Sequence, residues 1–232
     1  MRMHNELVGA LLAGLEQDGD INLHEYPIRI TYQDTLRLEG EVANIIAKRK
    51  ARRIIQQISG ISEIEDHLHV RLGELRQAKA LLEATVDALA QEPAFREIRV
   101  YADHAAPPDS VQWINVKVDG CTVRLDGQVG SLSHRRLAEV ISWWVPGSCN
   151  VHNHLRVQPP ERDSDDEISD AIVLVLEKDP LLHADNINAR TQGHVVTLVG
   201  YVHSHEQARM AVYDCWYVPG VHDVENRLRV LP

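Results

Sequence analysis

The chain lacks the surplus of positive charge that a surface adapted to nucleic-acid phosphates requires. Its 34 acidic residues outnumber 24 Lys and Arg, for a net charge of −10, whereas affinity for phosphate backbones comes largely from basic side chains that displace counterions. No nucleic-acid partner is expected, and only local basic patches are open to anions. Cysteine is scarce: Cys121, Cys149 and Cys215 are odd in number and fall at unmatched places, so no disulfide framework is implied. No apolar run reaches the roughly 20 residues needed to cross a bilayer, which excludes a spanning helix. Neither Gly-x-Gly-x-x-Gly nor Gly-x-x-x-x-Gly-Lys-Ser/Thr occurs, and no nucleophile stands beside a base in a recurring pattern. These absences predict no enzymatic activity, no catalytic residue and no cofactor.

What the chain does have is repetition, and with 44% apolar and 25% charged residues it has the make-up of a folded protein. Three segments align without gaps, beginning at Leu38-Glu39-Gly40-Glu41-Val42, Leu125-Asp126-Gly127-Gln128-Val129 and Leu198-Val199-Gly200-Tyr201-Val202. Each runs on through Arg49, Arg136 or Arg209, then Ala51, Ala138 or Ala211, then Ile58, Val145 or Val218, and then Gly60, Gly147 or Gly220. Each closes on an alternating stretch: Ile64 to Val70, Val151 to Val157 and Val224 to Val230.

The period of two around Gly40, Gly127 and Gly200 is that of a half-buried strand, and a glycine within it allows another backbone to approach closely. Alanine and an aliphatic residue seven positions on share one helix face. The glycines at 60, 147 and 220 stand where the helix must stop, a place that often needs positive φ. Upstream of each unit lie an amphipathic helix and a strand: Glu6–Gln17 and Ile28–Thr31, Arg76–Gln91 and Ile114–Val118, Glu167–Asp179 and Ile187–Thr191. The expected class is therefore α+β: three tandem αββαβ modules, each a three-stranded mixed sheet with two helices on one face. Polar residues alternate along the closing strands, so the other face is expected to be wet.

The modules are expected at 1–72, 73–158 and 166–232, with 159–165 as a linker. The boundary near 72–75 is short and predicts close coupling of copies one and two. Gln158 to Asp165, with Pro159-Pro160, reads as a semi-rigid spacer. The acidic cluster that follows reads as a solvated helix start suited to the helix dipole. Ala102–Ser110, with Pro107-Pro108, reads as an extended surface loop of copy two. The apolar stretch Leu7–Leu15 could pass for a secretory leader, but comparable helices recur in the other two copies, so the expected compartment is the cytoplasm, with the periplasm or envelope as the alternative.

The pattern Leu-x-Gly-x-Val, a helix with Arg and Ala, then Gly-Val-x-x-Val-x-Asn-x-Leu-x-Val resembles the BON family of bacterial osmotically inducible and nodulation proteins. The match is best over Leu198–Val230, including Pro219-Gly220-Val221; copy two has Ser148 after its glycine, and copy one has Ile61 there and Asp66 in place of asparagine. The resemblance implies a binding module with no catalytic residues, associated with phospholipid or membrane-surface attachment in the bacterial envelope and with osmotic stress. It does not extend to a KH-type RNA module, whose Gly-x-x-Gly clamp is absent.

Candidate contacts follow from residue type. Lys48, Arg49, Arg52 and Arg53 form the densest basic run and could attract anionic headgroups. Trp143-Trp144 and Trp216-Tyr217 sit at one repeat position, where they could anchor a membrane interface or a partner or lid the core, the outward neighbour of each pair being the better functional candidate. His67-x-His69, His152-x-His154 and His203-x-His205 could each offer two imidazoles on one strand face, but they occupy different repeat positions, and no metal is expected. The partners expected are an anionic phospholipid surface, a small ligand or ion, another protein or a further copy of the chain.

Overall fold

The computed structural model describes residues 2–32, 35–61, 63–73, 76–104 and 112–231. It divides into two compact units, Met1–Leu72 and Gly73–Pro232. Much of the expected loop at Ala102–Ser110, including Pro107-Pro108, lies outside the described residues.

In the first unit α1 (Arg2–Glu16) leads to β1 (Ile28–Tyr32) and β2 (Leu36–Val42), and α2 (Ile45–Ser59) carries the chain to β3 (Ile64–Val70). The sheet order is β1-β2-β3. β1 and β2 are antiparallel, as a short connection allows, and β2 and β3 are parallel, as a helical crossover requires. Leu11, Leu15, Ile30, Leu36, Leu38, Ala51, Ile55 and Leu68 form the core. They are the inward positions of each period: alternate strand residues, and helix residues spaced three or four apart.

The second unit holds copies two and three. Copy two runs α3 (Ala78–Gln91), a short 3₁₀ turn (Pro93–Phe95), β4 (Arg99–Ala102), β5 (Trp113–Asp119), β6 (Thr122–Val129), α4 (Leu132–Trp144) and β7 (Asn150–Val157). Copy three runs α5 (Asp165–Lys178), β8 (Ile187–Gln192), β9 (Val195–Val202), α6 (His205–Tyr217) and β10 (Asp223–Val230). Its sheet order is β8-β9-β10, whereas copy two has four strands, β4-β5-β6-β7. The extra strand is a correction: β4 pairs in parallel with β5 along Arg99↔Trp113 to Ala102↔Val116, so the chain before the long connection forms a sheet edge.

Register is the strongest sign that the copies are one design. Gly40 lies between Ile28 and Leu68, Gly127 between Ile114 and Leu155, and Gly200 between Ile187 and Leu228. At Gly200, with φ 133°, an added Cβ would fall 2.0 Å from the carbonyl oxygen of Asn186, so the close approach read from the sequence is backbone against backbone. The helix that follows each such strand is capped alike: Asn44, Ser131 and Ser204 accept from the amides of Ala47, His134 and Gln207. Ala51, Ala138 and Ala211 are buried against the sheets.

The helix ends differ. Val145-Pro146 and Val218-Pro219 stop α4 and α6 at the valine, which turns to extended backbone because a residue before proline is disfavoured in the helical region. Copy one has no proline there, α2 continues to Ser59, and Gly60 caps it at φ 68°. Ile58, expected on the seated face, is consequently 43% exposed, while Val145 and Val218 are buried.

Copies two and three share one compact unit. The reason is what the proline-rich segment does. Glu161 accepts from the amide of Leu132 at 2.7 Å and Asp163 from Arg136 at 2.6 Å, so this segment is fastened to α4. The acidic cluster is likewise more than solvated: Asp165 accepts from the amides of Gly193 and His194.

Candidate functional site

The basic run on α2 does not present one face. Lys48 turns inward, where its Nζ donates to Asp66 Oδ1 at 2.8 Å and to the Leu68 carbonyl at 2.6 Å. Burial pulls its ammonium below the usual value against the opposing pull of Asp66. Burial would raise the Asp66 carboxyl, but the charge and hydrogen bond of Lys48 hold it below the usual range. Lys48 is therefore withdrawn from headgroup contact. Arg52 is exposed, and Arg49 and Arg53 are half-buried.

The arginine that recurs in all three copies serves three different ends. Arg209 is exposed beside Glu206, Arg49 is half-buried, and Arg136 is buried at the seam between copies two and three. There its Nε donates to the Pro219 carbonyl at 3.0 Å and its second terminal nitrogen to Asp163 at 2.6 Å. Lys178 on α5 adds a second tie, reaching Glu92 at the end of α3 at 2.7 Å.

The aromatic helix ends meet at this seam. Trp143 and Trp216 are 6% and 3% exposed, while Trp144 and Tyr217 are half-buried, so the second residue of each pair is the outward one. Trp143 faces Tyr217 across the copies with ring centroids 6.2 Å apart. Around them lies a cavity of about 450 Å³. Trp143 and Trp144 line it from α4, Lys178, Asp179 and Pro180 from the end of α5, and Met210, Tyr213, Asp214 and Tyr217 from α6.

Asp214 is the member that sequence reasoning passed over. It occupies the place held by Ile54 in copy one and Ile141 in copy two, and comparison of the three aligned helices is the signal that would have found it. The residue is 6% exposed, and its Oδ2 is buried without a hydrogen-bond donor. Burial, the neighbouring charge of Asp179 and a hydrogen bond shared with that residue push its carboxyl up to about 8. Burial and Asp214 also raise the Tyr217 phenol. Cys215 is fully buried, and burial pushes its thiol well above the usual range.

Two further positions correct the cysteine reading. Cys121 and Cys149 form a disulfide in copy two, joining the β5–β6 turn to the residue before β7, with Cα atoms 5.3 Å apart. The same two places in copy three hold His194 and His222, whose rings stack at 4.4 Å. The backbone agrees: Cys149 donates to the Cys121 carbonyl at 2.9 Å, and His222 to the His194 carbonyl at 2.9 Å. The corresponding Asp34 and Ser62 of copy one lie outside the described residues, so cysteines that look unmatched by type are matched by place. Among the described residues, no three His, Cys, Asp or Glu side chains are grouped to hold a metal ion.

Residues 6–71, 106–159 and 164–232 match the BON domain family, and the chain belongs to it. No curated protein matches the chain. Among solved structures, the chain is similar to the C-terminal domain of CdsD, the structural protein of the type III secretion system of Chlamydia trachomatis, with 16% identity over 96% of this chain and 98% of that one and a TM-score of 0.27. It is also similar to the PrgH periplasmic domain, with 10% identity over 96% of this chain and 99% of that one and a TM-score of 0.25. Among the described residues, no helix is long and apolar enough to cross a membrane.

Proposed function

We propose that the chain is a non-catalytic binding and scaffold protein that attaches to anionic phospholipid surfaces in the bacterial envelope under osmotic stress. The observation that carries this reading is the BON match in all three copies. The lipid contact is assigned to copy one, where exposed Arg52 flanked by Arg49 and Arg53 remains of the basic run once Lys48 is set aside. The Cys121–Cys149 bridge supports the periplasmic alternative over the cytoplasm, since disulfides persist in oxidising compartments.

Co-sedimentation with phosphatidylglycerol vesicles at low and moderate salt tests it. Each basic residue near an anionic surface contributes about 1 kcal/mol, so replacing Arg49, Arg52 and Arg53 by Gln is expected to weaken binding by roughly ten- to a hundredfold. Because Arg49 and Arg53 are half-buried, the melting temperature is followed in parallel and Arg52→Gln is measured alone. No sedimentation of the native chain at either salt would end the lipid reading.

The exposed Val199 and Tyr201, 40% and 48% accessible on the outward face of β9, favour a second reading in which the chain is an assembly protein with no lipid ligand. Light scattering over a concentration series separates the two: a strict monomer at high concentration counts against assembly.

A further inference from the structure

We propose that the cavity walled by α4, the end of α5 and α6 is a binding site for an organic ammonium cation, with Asp179 and Asp214 facing its charge and Trp144 and Tyr217 its alkyl shell. The site is separate from the basic run on α2 and does not rest on lipid attachment there.

Three observations converge on it. First, Asp214 breaks the apolar pattern of the repeat. The repeat places isoleucine at this point of the other two second helices, and a carboxyl here leaves one oxygen buried with no donor, a cost that a core position avoids. Second, among the described residues no cation is ion-paired with Asp179 or Asp214. Lys178 lines the cavity, but its ammonium lies 2.7 Å from Glu92, and the neighbouring charge that raises Asp214 is that of Asp179. Third, the lining selects the kind of cation. Four of the lining residues are Trp or Tyr, whose ring faces attract weakly hydrated alkylammonium groups. A hydrated divalent metal would need about six oxygen ligands, whereas two carboxyls are present and Asp179 Oδ1 already accepts from the amide of Leu181. The volume of about 450 Å³ accommodates a choline- or betaine-sized molecule or the ammonium end of a lipid headgroup.

The charges set a pH dependence. Lys178 and Asp179 face Asp214 from the end of α5, and Tyr213, Cys215 and Tyr217 accompany it on α6, while α4 brings Trp143 and Trp144 to the cavity and no titratable group. A bound cation favours ionised Asp214, so affinity is expected to rise as pH is raised through about 8.

The test titrates the full chain with tetramethylammonium and choline, with potassium at equal ionic strength as the control, read by tryptophan fluorescence and calorimetry. A saturable response to the two organic cations and none to potassium is expected. Asp214→Ile restores the residue of the other copies and should lower affinity at least roughly tenfold. Asp214→Asn, nearly isosteric, keeps the comparison decisive if isoleucine disturbs the helix packing. Phosphatidylcholine vesicles distinguish the source: uptake that choline competes away and that Asp214→Ile abolishes marks a lipid headgroup, and choline binding without vesicle uptake marks a free solute. No saturable response to either organic cation, or an affinity in both Asp214 variants equal to that of the native chain, overturns the proposal.

Discussion

The position that carries Asn153 in copy two and Asn226 in copy three carries Asp66 in copy one. All three accept from the amide two residues on, at 3.0 to 3.1 Å. Asn153 also donates its amide to the Arg135 carbonyl at 2.8 Å, which a carboxylate cannot do. Copy one answers with Lys48, which stands where copy two has Arg135 and copy three Ala208, and which reaches back to Asp66. Removing one member of a buried ion pair leaves an uncompensated charge, so Lys48→Ala or Asp66→Asn alone should cost about 3 kcal/mol. The double variant recreates the Ala208–Asn226 pairing of copy three and should lose far less than the sum of the singles in urea unfolding. A near-additive cycle would show that the two side chains act separately. The pH sign follows from Asp66 being held below the usual carboxylate range: its contribution is present above the unfolded value and is lost as pH falls through the folded one. Asp66→Asn should flatten that acid limb of the stability curve.

Among the elements, the junction of hairpin and closing strand is used twice with different chemistry. In copy two a covalent bridge spans it, and in copy three two stacked imidazoles, on the same backbone hydrogen bond. If the two junctions are one geometry, His194→Cys with His222→Cys should oxidise to a second bridge. Closing a loop of sequence separation 28 is expected to add about 3 kcal/mol of stability, most of it by constraining the unfolded chain. Loss of two hydrogens by mass and a raised urea midpoint would report it. Thiols that stay reduced under air would show the sockets to be unequal. Helix length is another element-level choice: the proline of copies two and three ends the helix early and brings the aromatic pair to the seam, whereas copy one, ending on Ser59-Gly60, has glutamines at those two positions, Gln56 and Gln57.

For the molecule as a whole, the organising fact is that copies two and three form one unit and copy one another. Arg136 holds the former together at 4% side-chain exposure, bonding Pro219 and Asp163 at once. Arg136→Ala should strip both ties and speed proteolytic cutting between 158 and 165. Arg209→Ala, at the same repeat position but exposed beside Glu206, should leave proteolysis and melting unchanged. Equal behaviour of the two variants would mean that the seam rests on its aromatic contacts instead. The cavity beneath Trp144 and Tyr217 exists because two copies are joined in this way, so it belongs to the pair and to neither copy alone.

The sequence by itself determined the repeat, the αββαβ order, the strand glycines and the glycine that follows each second helix, because each is a local consequence of period or steric freedom that reappears in every copy. It also carried the family, in the Leu-x-Gly-x-Val strand and the closing Asn-x-Leu-x-Val. Only the tertiary structure decided where Lys48, Arg136 and Asp214 sit, that copies two and three share a compact unit, that β4 adds an edge, and that Cys121 meets Cys149. Those outcomes depend on residues distant in the chain approaching within a few ångströms, and a side chain's role at such a meeting is set by what it finds there: Arg49, Arg136 and Arg209 share one position in the repeat and have three different surroundings.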